Sequence, residues 1–353
     1  MKNFIASLFA VLVPVVCTAL GLSDPSAAVS WANYVVDVPP GAVYTLRQSP
    51  SGMAWVGSNR GLYTFDGFNA YAVDDTTGYP FAAQVYAIIE EDDGGVWLGT
   101  NNGLFRYNPA DRLVHGVEGD FPNEIRAMLR DDAGHLWIGS LNGLYVYEPS
   151  GGRLRDMTSA LPHRAVYALL DCEADGCVYV GTYDGLCRYD FRREAFEEIR
   201  LRGLHGGDGN VFVNALAEDM AENEILVGTE GALLTFRPGS GAVGRIAALD
   251  GNSVKALAVY GNRRLAAGTD NGLYILAHGS VRACCRHDSR RAASISDNVI
   301  WSLLFDAQGN LWAGTGAGLS IAGADSAVRE ISLSDLTGSG DGQTVYSIFR
   351  DSR

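Results

Sequence analysis

Basic residues are scarce in this sequence, and they form no cluster. The 353-residue chain has 27 Lys and Arg against 41 Asp and Glu, which leaves a formal net charge of −14 at pH 7. Nucleic acids and anionic membrane surfaces are bound through patches of Lys and Arg. The composition therefore argues against both as partners and leaves neutral or cationic small ligands.

Catalytic and cofactor motifs are also missing. The sequence contains no Gly-x-Ser-x-Gly elbow, no His-Glu-x-x-His, no phosphate-binding loop and no EF-hand loop. Its six histidines show no metal-ligand spacing. Carboxylate pairs such as Asp92-Asp93 and Asp131-Asp132 recur in one phase of a repeat, which indicates turns rather than acid–base catalysis. We predict no catalytic residue, no metal and no cofactor in this chain.

Apolar runs long enough to cross a membrane are absent after the first residues of the chain. Residues 1–28 begin with one Lys, continue with an apolar stretch and end in small residues, with Ser26-x-Ala28 as a cleavage site. This order is typical of a secretory signal peptide, and the alternative is an uncleaved anchor. We expect export and a periplasmic location.

Cysteines number only six, which fits an oxidising compartment in part. Cys172 and Cys177 flank the short turn 173–176, so they are expected to face each other across a hairpin. We predict a disulfide between them, which closes a short loop and would contribute about 2 kcal/mol on the chain-entropy model. Cys187, on the next strand, is a competing partner.

A fourteen-residue pattern is repeated along most of the chain. Examples are "GVWLGTNNGLFRYN" (95–108) and "HLWIGSLNGLYVYE" (135–148), and each copy follows the last by 40 to 47 residues. One glycine marks the phase of every copy. These glycines are Gly57, Gly99, Gly139, Gly181, Gly228, Gly268 and Gly314. A period near 40 without helical spacing predicts an all-β fold, a seven-bladed β-propeller of four-stranded antiparallel blades over residues 29–342.

The aromatic residue before each glycine has a structural interpretation. We expect Trp97, Trp137 and Trp312 to pack between neighbouring blades, and the following glycine to allow close backbone approach. The aromatic is missing from "ILVG" (225–228) and "LAAG" (265–268). Those two blade junctions are therefore expected to pack differently.

The residues between the Gly-Thr or Gly-Ser pair and the next Gly vary freely between copies. Because strands alternate in direction within a blade, these turns and the loops that link blades are expected on one face. Variable polar and aromatic loops on a rigid scaffold are where binding is expected. The predicted ligand-binding residues are Asn59, Arg60, Asn102, Asn142, His163, Arg164, Tyr183, Asp184, Asp270 and Asn271.

The repeat resembles the two-component regulator propeller repeat. That family's pattern is an acidic turn, Gly, Leu-Trp-Ile-Gly-Thr, two polar residues, Gly-Leu and Arg-Tyr-Asp. "EDDGGVWLGTNNGLFRYN" (91–108) and "DDAGHLWIGSLNGLYVYE" (131–148) match it nearly throughout. The resemblance covers about residues 31–353.

The resemblance implies the sensor region of a hybrid two-component system. Such a sensor binds a glycan fragment or another nutrient outside the cytoplasm, pairs with a second sensor subunit as a homodimer and controls a membrane-anchored histidine kinase. This sequence departs from that plan because it has one propeller and no kinase. Residues 343–353 copy the first strand of a further blade, so we expect a chain truncated ahead of the membrane segment and the kinase.

Several alternatives remain open from the sequence. Either "NYVVDV" (33–38) or "VREISL" (328–333) could supply the last strand that closes the ring. An exported propeller without kinase could be an interaction scaffold. A propeller lyase or hydrolase is the enzyme alternative, since His163, His205 and His287 lie in loops between blades, although they share no motif.

Overall fold

The computed structural model of the protein describes residues 29–34, 41–201, 211–261, 264–277 and 279–323. The predicted signal peptide (1–28), the candidate strand at 328–333 and the predicted extra strand at 343–353 lie outside these ranges. His205 also lies outside them.

The described chain forms seven four-stranded sheets, with two short 3₁₀ turns at Thr158–Ala160 and Ala247–Leu249. The first strands are β2 (Val43–Gln48), β6 (Val85–Glu90), β10 (Ile125–Arg130), β14 (Val166–Cys172), β18 (Val213–Asp219), β22 (Val254–Tyr260) and β26 (Ile300–Phe305). The second strands are β3 (Ala54–Ser58), β7 (Val96–Thr100), β11 (Leu136–Ser140), β15 (Cys177–Thr182), β19 (Glu224–Thr229), β23 (Arg264–Thr269) and β27 (Leu311–Thr315). The third strands are β4 (Gly61–Phe65), β8 (Gly103–Asn108), β12 (Gly143–Glu148), β16 (Gly185–Asp190), β20 (Leu233–Arg237), β24 (Gly272–Ala277) and β28 (Gly318–Ala322). The outer strands are β5 (Ala70–Ala72), β9 (Leu113–Gly116), β13 (Arg153–Asp156), β17 (Ala195–Ile199), β21 (Ala242–Ile246), β25 (Ser280–Cys285) and β1 (Ala32–Tyr34).

Each blade is an antiparallel meander, as the repeat predicted. Six blades use four consecutive strands, and the seventh has the order β1-β28-β27-β26. The first strands of neighbouring blades contact one another all the way round, and β26 of the last blade contacts β2 of the first. The fold is therefore a closed seven-bladed propeller with the first strands at its centre.

The N-terminal strand closes the ring. Strand β1 pairs antiparallel with β28, with Asn33 opposite Ser320. The Asn33 side chain donates to the Ser294 carbonyl oxygen at 2.8 Å and accepts from Ser320 Oγ at 2.7 Å. Of the two candidates, the structure thus uses the N-terminal one, although the strand begins at Ala32.

The phase-marking glycines lie where one blade touches the next. A Cβ on Gly139 would stand 2.5 Å from Cγ1 of Val166, the first residue of the next blade's first strand. The same holds for the other six glycines against the equivalent Val or Ile, at 2.5 to 2.8 Å. A side chain at this position would push the blades apart, which explains why every copy keeps glycine.

The tryptophans fill the outer part of the junctions, as predicted. Trp97 packs against Tyr147 of the following blade, with ring centroids 6.1 Å apart, and Trp312 packs against Phe65 at 5.6 Å. Trp137 is 1% exposed and contacts Tyr189. Burial of such large rings between blades gives each junction its own hydrophobic cluster.

The predicted disulfide is not present in the structure. Cys172 and Cys177 are directly opposite across the hairpin, as expected, but both thiols are free. The Cys172 thiol donates to Glu218 Oε1 at 3.3 Å, and the Cys177 thiol donates to the Asp175 carbonyl oxygen at 3.7 Å. Burial raises the pKa of Cys172 to about 12.

Candidate functional site

The variable turns between second and third strands all lie on one face of the propeller. The first residue of each turn donates its backbone N–H to the carbonyl oxygen just before the first strand of the same blade. Examples are Asn59 to Ala42 at 3.0 Å and Tyr183 to Ala165 at 2.9 Å. This bond places the turn beside the start of the blade's first strand, at the centre of the propeller. We call this side of the molecule the turn face.

A buried hydroxyl fixes the shape of each of these turns. Thr100 Oγ1 donates to the Gly103 carbonyl oxygen at 2.8 Å and accepts from the backbone N–H of Asn102 at 3.0 Å. Gly103 has φ +106°, a conformation that favours glycine. The same bonds recur in the turns that carry Asn142, Asp184 and Asn271. The Gly-Thr/Ser-x-x-Gly pattern thus holds the variable residues on the surface.

The structure places all ten predicted ligand-binding residues on the turn face or in the loops beside it. Seven are exposed: Arg60, Asn102, Asn142, Arg164, Tyr183, Asp270 and Asn271. Three are half-buried: Asn59, His163 and Asp184. They are spread around the ring, so no single small ligand could contact them all.

His163 and Tyr183 are brought together. Their rings lie 5.2 Å apart, and Tyr183 also contacts Phe212 at 5.1 Å. Phe212 continues the stack to Tyr167 at 4.5 Å. His163 Nδ1 accepts from the backbone N–H of Ala165 at 3.0 Å, which fixes the ring orientation. This aromatic cluster has a partly exposed surface, since Tyr183 is 42% exposed.

Other predicted residues serve to hold the face together. Asp270 Oδ1 accepts from the backbone N–H of Ser253 at 3.3 Å, and Asp270 returns its own N–H to the Ser253 carbonyl oxygen. The Asn271 carbonyl oxygen accepts from Arg286 Nε at 3.0 Å. These contacts join the turn of blade six to the start of its first strand and to the end of its outer strand. Asp270 and Asn271 therefore have a structural role.

A ring of residues at the centre of the turn face was missed from the sequence. In every blade the pairing of first and second strands skips the second residue of the first strand, which forms a β-bulge. The seven bulged residues are Tyr44, Tyr86, Arg126, Tyr167, Asn214, Lys255 and Trp301. We call them the bulge ring.

Five members of the bulge ring form a continuous row of contacts. Tyr44 lies between Tyr86, at 5.2 Å, and Trp301, at 5.6 Å. The Arg126 guanidinium stacks 3.9 Å from the Tyr86 centroid, and Lys255 Nζ lies 5.2 Å from the Trp301 centroid. Three aromatic rings are therefore flanked by two cations, an arrangement stabilised by cation–π attraction. Trp301 is 38% exposed and offers the most accessible ring face.

A carboxylate lies near each cation of the row, in direct contact with Arg126 and through Ser253 with Lys255. Glu124 Oε2 accepts from Arg126 Nη2 at 2.7 Å, and Glu230 Oε2 accepts from Ser253 Oγ at 2.7 Å, beside Lys255. Burial raises the pKa of Tyr86, although Arg126 opposes the shift. Tyr86 is therefore a neutral phenol at physiological pH, able to donate and accept hydrogen bonds. The centre of the turn face is aromatic, polar and close to electrically neutral.

The two inter-blade histidines that the structure describes, His163 and His287, are both bonded to the backbone. Among the described residues, no group of three His, Cys, Asp or Glu could hold a metal ion. His287 uses Nδ1 to bond the Ile295 carbonyl oxygen and its backbone N–H to bond Asn298 Oδ1. His163 is likewise engaged with backbone. Neither histidine is paired with a nucleophile or a carboxylate.

The sequence held one signal for the bulge ring. The residue after the buried Val or Ile that opens each first strand is Tyr in three copies and Arg, Asn, Lys or Trp in the other four, whereas the Val or Ile itself is kept. Variation beside a fixed core position is a mark of a binding surface. Period-two alternation alone, however, does not reveal a bulge.

Comparison with protein-family models assigns the repeat. The model described as "Two component regulator propeller" matches residues 79–102, 119–142 and 294–317. Each match spans an inter-blade loop, a first strand and the Gly-Thr or Gly-Ser turn region described above. This chain is a two-component regulator propeller protein. A sequence comparison with curated proteins finds no match.

Solved structures support the assignment of this two-component regulator propeller protein. The extracellular domain of a putative hybrid two-component system from B. thetaiotaomicron has 36% identity and a TM-score of 0.78, over 92% of this chain and 44% of that one. A second such extracellular domain from the same organism has 18% identity and a TM-score of 0.68, over 84% and 42%. The chain thus spans less than half the length of these structures.

An enzyme shares the fold alone. A virginiamycin B lyase from Staphylococcus aureus has 12% identity and a TM-score of 0.63, over 83% of this chain and 98% of that one. The structural match shows a common propeller architecture. At this low identity it carries no information about chemistry. Within the part of the chain that the structure describes, no helix is both long and apolar enough to span a bilayer.

Proposed function

We propose that this two-component regulator propeller protein is an extracytoplasmic sensor domain that binds an oligosaccharide on its turn face. The observation that carries the proposal is the row of three aromatic rings between Arg126 and Lys255 at the centre of that face. Among ligand classes, a neutral, polyhydroxylated ring system fits this row best, because the row combines flat apolar surfaces with many hydrogen-bonding groups.

The electrostatics favour a neutral sugar over a charged ligand. Arg126 pairs directly with Glu124, and Lys255 donates to Ser253 Oγ, which in turn donates to Glu230. A strongly anionic ligand would meet these carboxylates, and a cationic ligand would meet Arg126 and Lys255. Hydroxyl groups can instead bond to both kinds of side chain without leaving a charge unpaired.

The aromatic cluster of His163, Tyr183, Phe212 and Tyr167 extends the binding surface outwards. Tyr167 belongs to both the cluster and the bulge ring, so the two surfaces are continuous. A ligand of several sugar units would lie across the ring centre and reach Tyr183. A monosaccharide would contact only one of the two surfaces and is expected to bind more weakly.

The signalling part of the proposal rests on similarity. The 36%-identical relative is an extracellular domain of a putative hybrid two-component system. We infer that this protein is exported, pairs with a second sensor subunit and controls a histidine kinase anchored in the inner membrane. Reading the coding DNA beyond residue 353 tests this: a kinase module in frame supports it, and a stop codon with no adjacent kinase gene contradicts it.

Calorimetric titration with neutral and acidic oligosaccharides tests the binding proposal. Trp301→Ala and Tyr183→Ala should each weaken binding of the best neutral ligand by about tenfold, the loss of about 1.4 kcal/mol expected when a stacked ring is removed. Phe68→Ala is the matched control, because Phe68 is 81% exposed in a turn at the opposite ends of the strands. It should leave affinity unchanged.

Two outcomes would overturn the proposal. Affinity that is unaffected by both turn-face variants would place the ligand elsewhere. Conversion of the sugar during incubation, followed by NMR, would identify an enzyme, since a sensor releases its ligand unchanged.

A further inference from the structure

The two cations of the bulge ring are held in different ways. Arg126 forms a direct ion pair with Glu124 at 2.7 Å, and its guanidinium stacks on Tyr86. Lys255 instead donates to a hydroxyl, Ser253 Oγ, at 3.3 Å, and to no carboxylate among the described residues. The charge of Arg126 is therefore neutralised by direct contact within the protein. The ammonium of Lys255 keeps two of its three N–H donors for a ligand.

Glu230 lies on the far side of the same hydroxyl. It is the first residue of the blade-five turn, and its backbone N–H donates to the Phe212 carbonyl oxygen at 3.1 Å. Its Oε2 accepts from Ser253 Oγ at 2.7 Å and from Asn214 Nδ2 at 3.4 Å. These contacts fix the carboxylate through one oxygen, and no described residue bonds to the other, Oε1. Because Glu230 is exposed, Oε1 is open to a ligand.

The Ser253 hydroxyl shows what this separated pair of charges binds. It accepts from the Lys255 ammonium and at the same time donates to the Glu230 carboxylate. Ser253 is 4% exposed, so it bridges the two charges from the protein side. A ligand that approaches from solvent meets the remaining N–H donors of Lys255 and Oε1 of Glu230. Two neighbouring hydroxyls of a sugar can accept from the first and donate to the second, as charge-assisted hydrogen bonds.

The most accessible ring of the row lies beside this pair. Trp301 is 38% exposed, and Lys255 Nζ is 5.2 Å from its centroid. A sugar ring in contact with the exposed part of Trp301 is therefore within reach of the ammonium, with Glu230 behind it. The neighbour of Trp301 on blade one is Tyr44, which carries no charge. The hydroxyl-bearing edge of the sugar is thus expected to face blades five and six.

We propose that Lys255 and Glu230 determine the specificity of the turn-face site by binding two adjacent free hydroxyls of the sugar that contacts Trp301. This inference rests on the proposed function and adds a substrate class to it, an oligosaccharide whose units keep a free vicinal diol. In 1,4-linked pyranose chains the 2- and 3-hydroxyls of every unit are free. In 1,3-linked chains the linkage occupies position 3, so no inner unit has two adjacent free hydroxyls on its ring.

Calorimetric titration with four neutral hexasaccharides tests the proposal. Cellohexaose, xylohexaose and mannohexaose are 1,4-linked, and laminarihexaose is the 1,3-linked control with the same glucose composition as cellohexaose. At least one 1,4-linked probe should bind about tenfold or more tightly than laminarihexaose, as expected for a charge-assisted hydrogen bond that only the diol can make. Glu230→Gln and Lys255→Met should each weaken binding of that probe by about tenfold and leave laminarihexaose within about threefold of its wild-type affinity.

Glu118→Gln is the matched control, because Glu118 is an exposed carboxylate in the loop between blades two and three, outside the bulge ring. It should leave the affinity for all four probes unchanged. Equal weakening of the 1,4- and 1,3-linked probes by Glu230→Gln and Lys255→Met would overturn the proposal, since a merely structural role has that effect. Unchanged affinities in both variants, tightest binding of laminarihexaose, or no binding of any 1,4-linked probe would overturn it as well.

Trp301→Ala separates this proposal from the proposed function. If Trp301→Ala weakens oligosaccharide binding while Glu230→Gln and Lys255→Met do not, the turn-face site stands and only the specificity assignment falls. If none of the three variants changes affinity, the site itself is wrong.

Discussion

Single glycines set the distance between blades in this propeller. At Gly139 the nearest atoms to a hypothetical Cβ belong to Val166 of the next blade, and Val166 is fully buried. A protein interior this closely packed relaxes only in part around an added methyl group. The cost of that methyl group is therefore local and measurable.

We expect Gly139→Ala to lower the free energy of unfolding by about 1–3 kcal/mol, the usual range for overpacking. Urea denaturation of the purified chain measures it. Gly239→Ala is the control, because nothing lies within 4 Å of its added Cβ, and it should change stability by no more than about 0.5 kcal/mol. Equal urea midpoints for the two variants would contradict the close-approach explanation.

Asp306 is a second residue with a large local effect. It is 3% exposed, and its carboxylate accepts from Trp312 Nε1 at 2.9 Å, from Asn310 Nδ2 at 2.7 Å and from backbone N–H groups of the turn. Removal of the carboxylate would leave these buried donors without acceptors.

We expect Asp306→Ala to lower the free energy of unfolding by about 2–3 kcal/mol. It should also expose the indole of Trp312 to solvent, which is seen as a red shift of the tryptophan fluorescence. Asp132→Ala is the control, since Asp132 is exposed in the equivalent turn of blade three. A cost for Asp306→Ala no greater than that of the control would show that the turn closes without this network.

At the scale of elements, the three-residue strand β1 holds the ring closed. Its side chains and those just before it reach into blade seven: Trp31 is buried in a cluster with Ile295 and Ile300, and its backbone N–H donates to the Ala293 carbonyl oxygen at 3.0 Å. Without β1 the outer edge of β28 would be unpaired, and an unpaired edge exchanges its amide protons quickly.

We expect Trp31→Ala to lower the free energy of unfolding by about 3–5 kcal/mol and to speed amide exchange in β28 more than in the other third strands. Hydrogen exchange followed by mass spectrometry measures the second effect. Trp301→Ala is the control. It removes a partly exposed indole of the bulge ring and should lower the free energy of unfolding by about 1 kcal/mol or less. Exchange that rises evenly over all blades would contradict a special role of β1 in closure.

At the scale of the whole molecule, the ring brings acidic turns of three blades together. Asp171 is half-buried on β14, with Asp132 and Asp131 of blade three and Glu218 of blade five nearby. Burial raises its pKa, and these carboxylates raise it further. A carboxyl whose folded-state pKa is raised destabilises the fold above that pKa, and the penalty disappears below the unfolded-state value of about 4.

We therefore expect Asp171→Asn to increase the urea midpoint at pH 7, with no difference from the wild type below about pH 4.

Asp66→Asn should instead decrease the urea midpoint at pH 7. The backbone N–H groups of Asn69 and Phe68 lower the pKa of Asp66, so its carboxylate stabilises the fold at neutral pH and loses that effect as pH falls through the lowered pKa. Urea midpoints that shift in the same direction for both variants would contradict this account.

The repeat in the sequence determined the blade count, the strand order and the face that carries the variable turns. These features are local, because each copy contains its own turn residues, its own alternating strands and its own glycine. The predicted residues Asn102, Asn142 and Tyr183 are surface-exposed for the same reason. Their position follows from a turn of a few residues that each copy specifies.

Only the tertiary structure decided which residues meet. Tyr44 and Trp301 come from opposite ends of the chain and touch because blade seven closes on blade one. The bulges that place them at the centre of the turn face are irregularities of pairing between strands, which alternation along one strand does not encode. The missing aromatics at Leu226 and Ala266 were visible in the sequence, but only the structure shows that Trp31, beside the closing strand, packs into the cluster of Ala266. The thiols of Cys172 and Cys177 are adjacent as predicted, yet each bonds to an acceptor that only the folded neighbours supply.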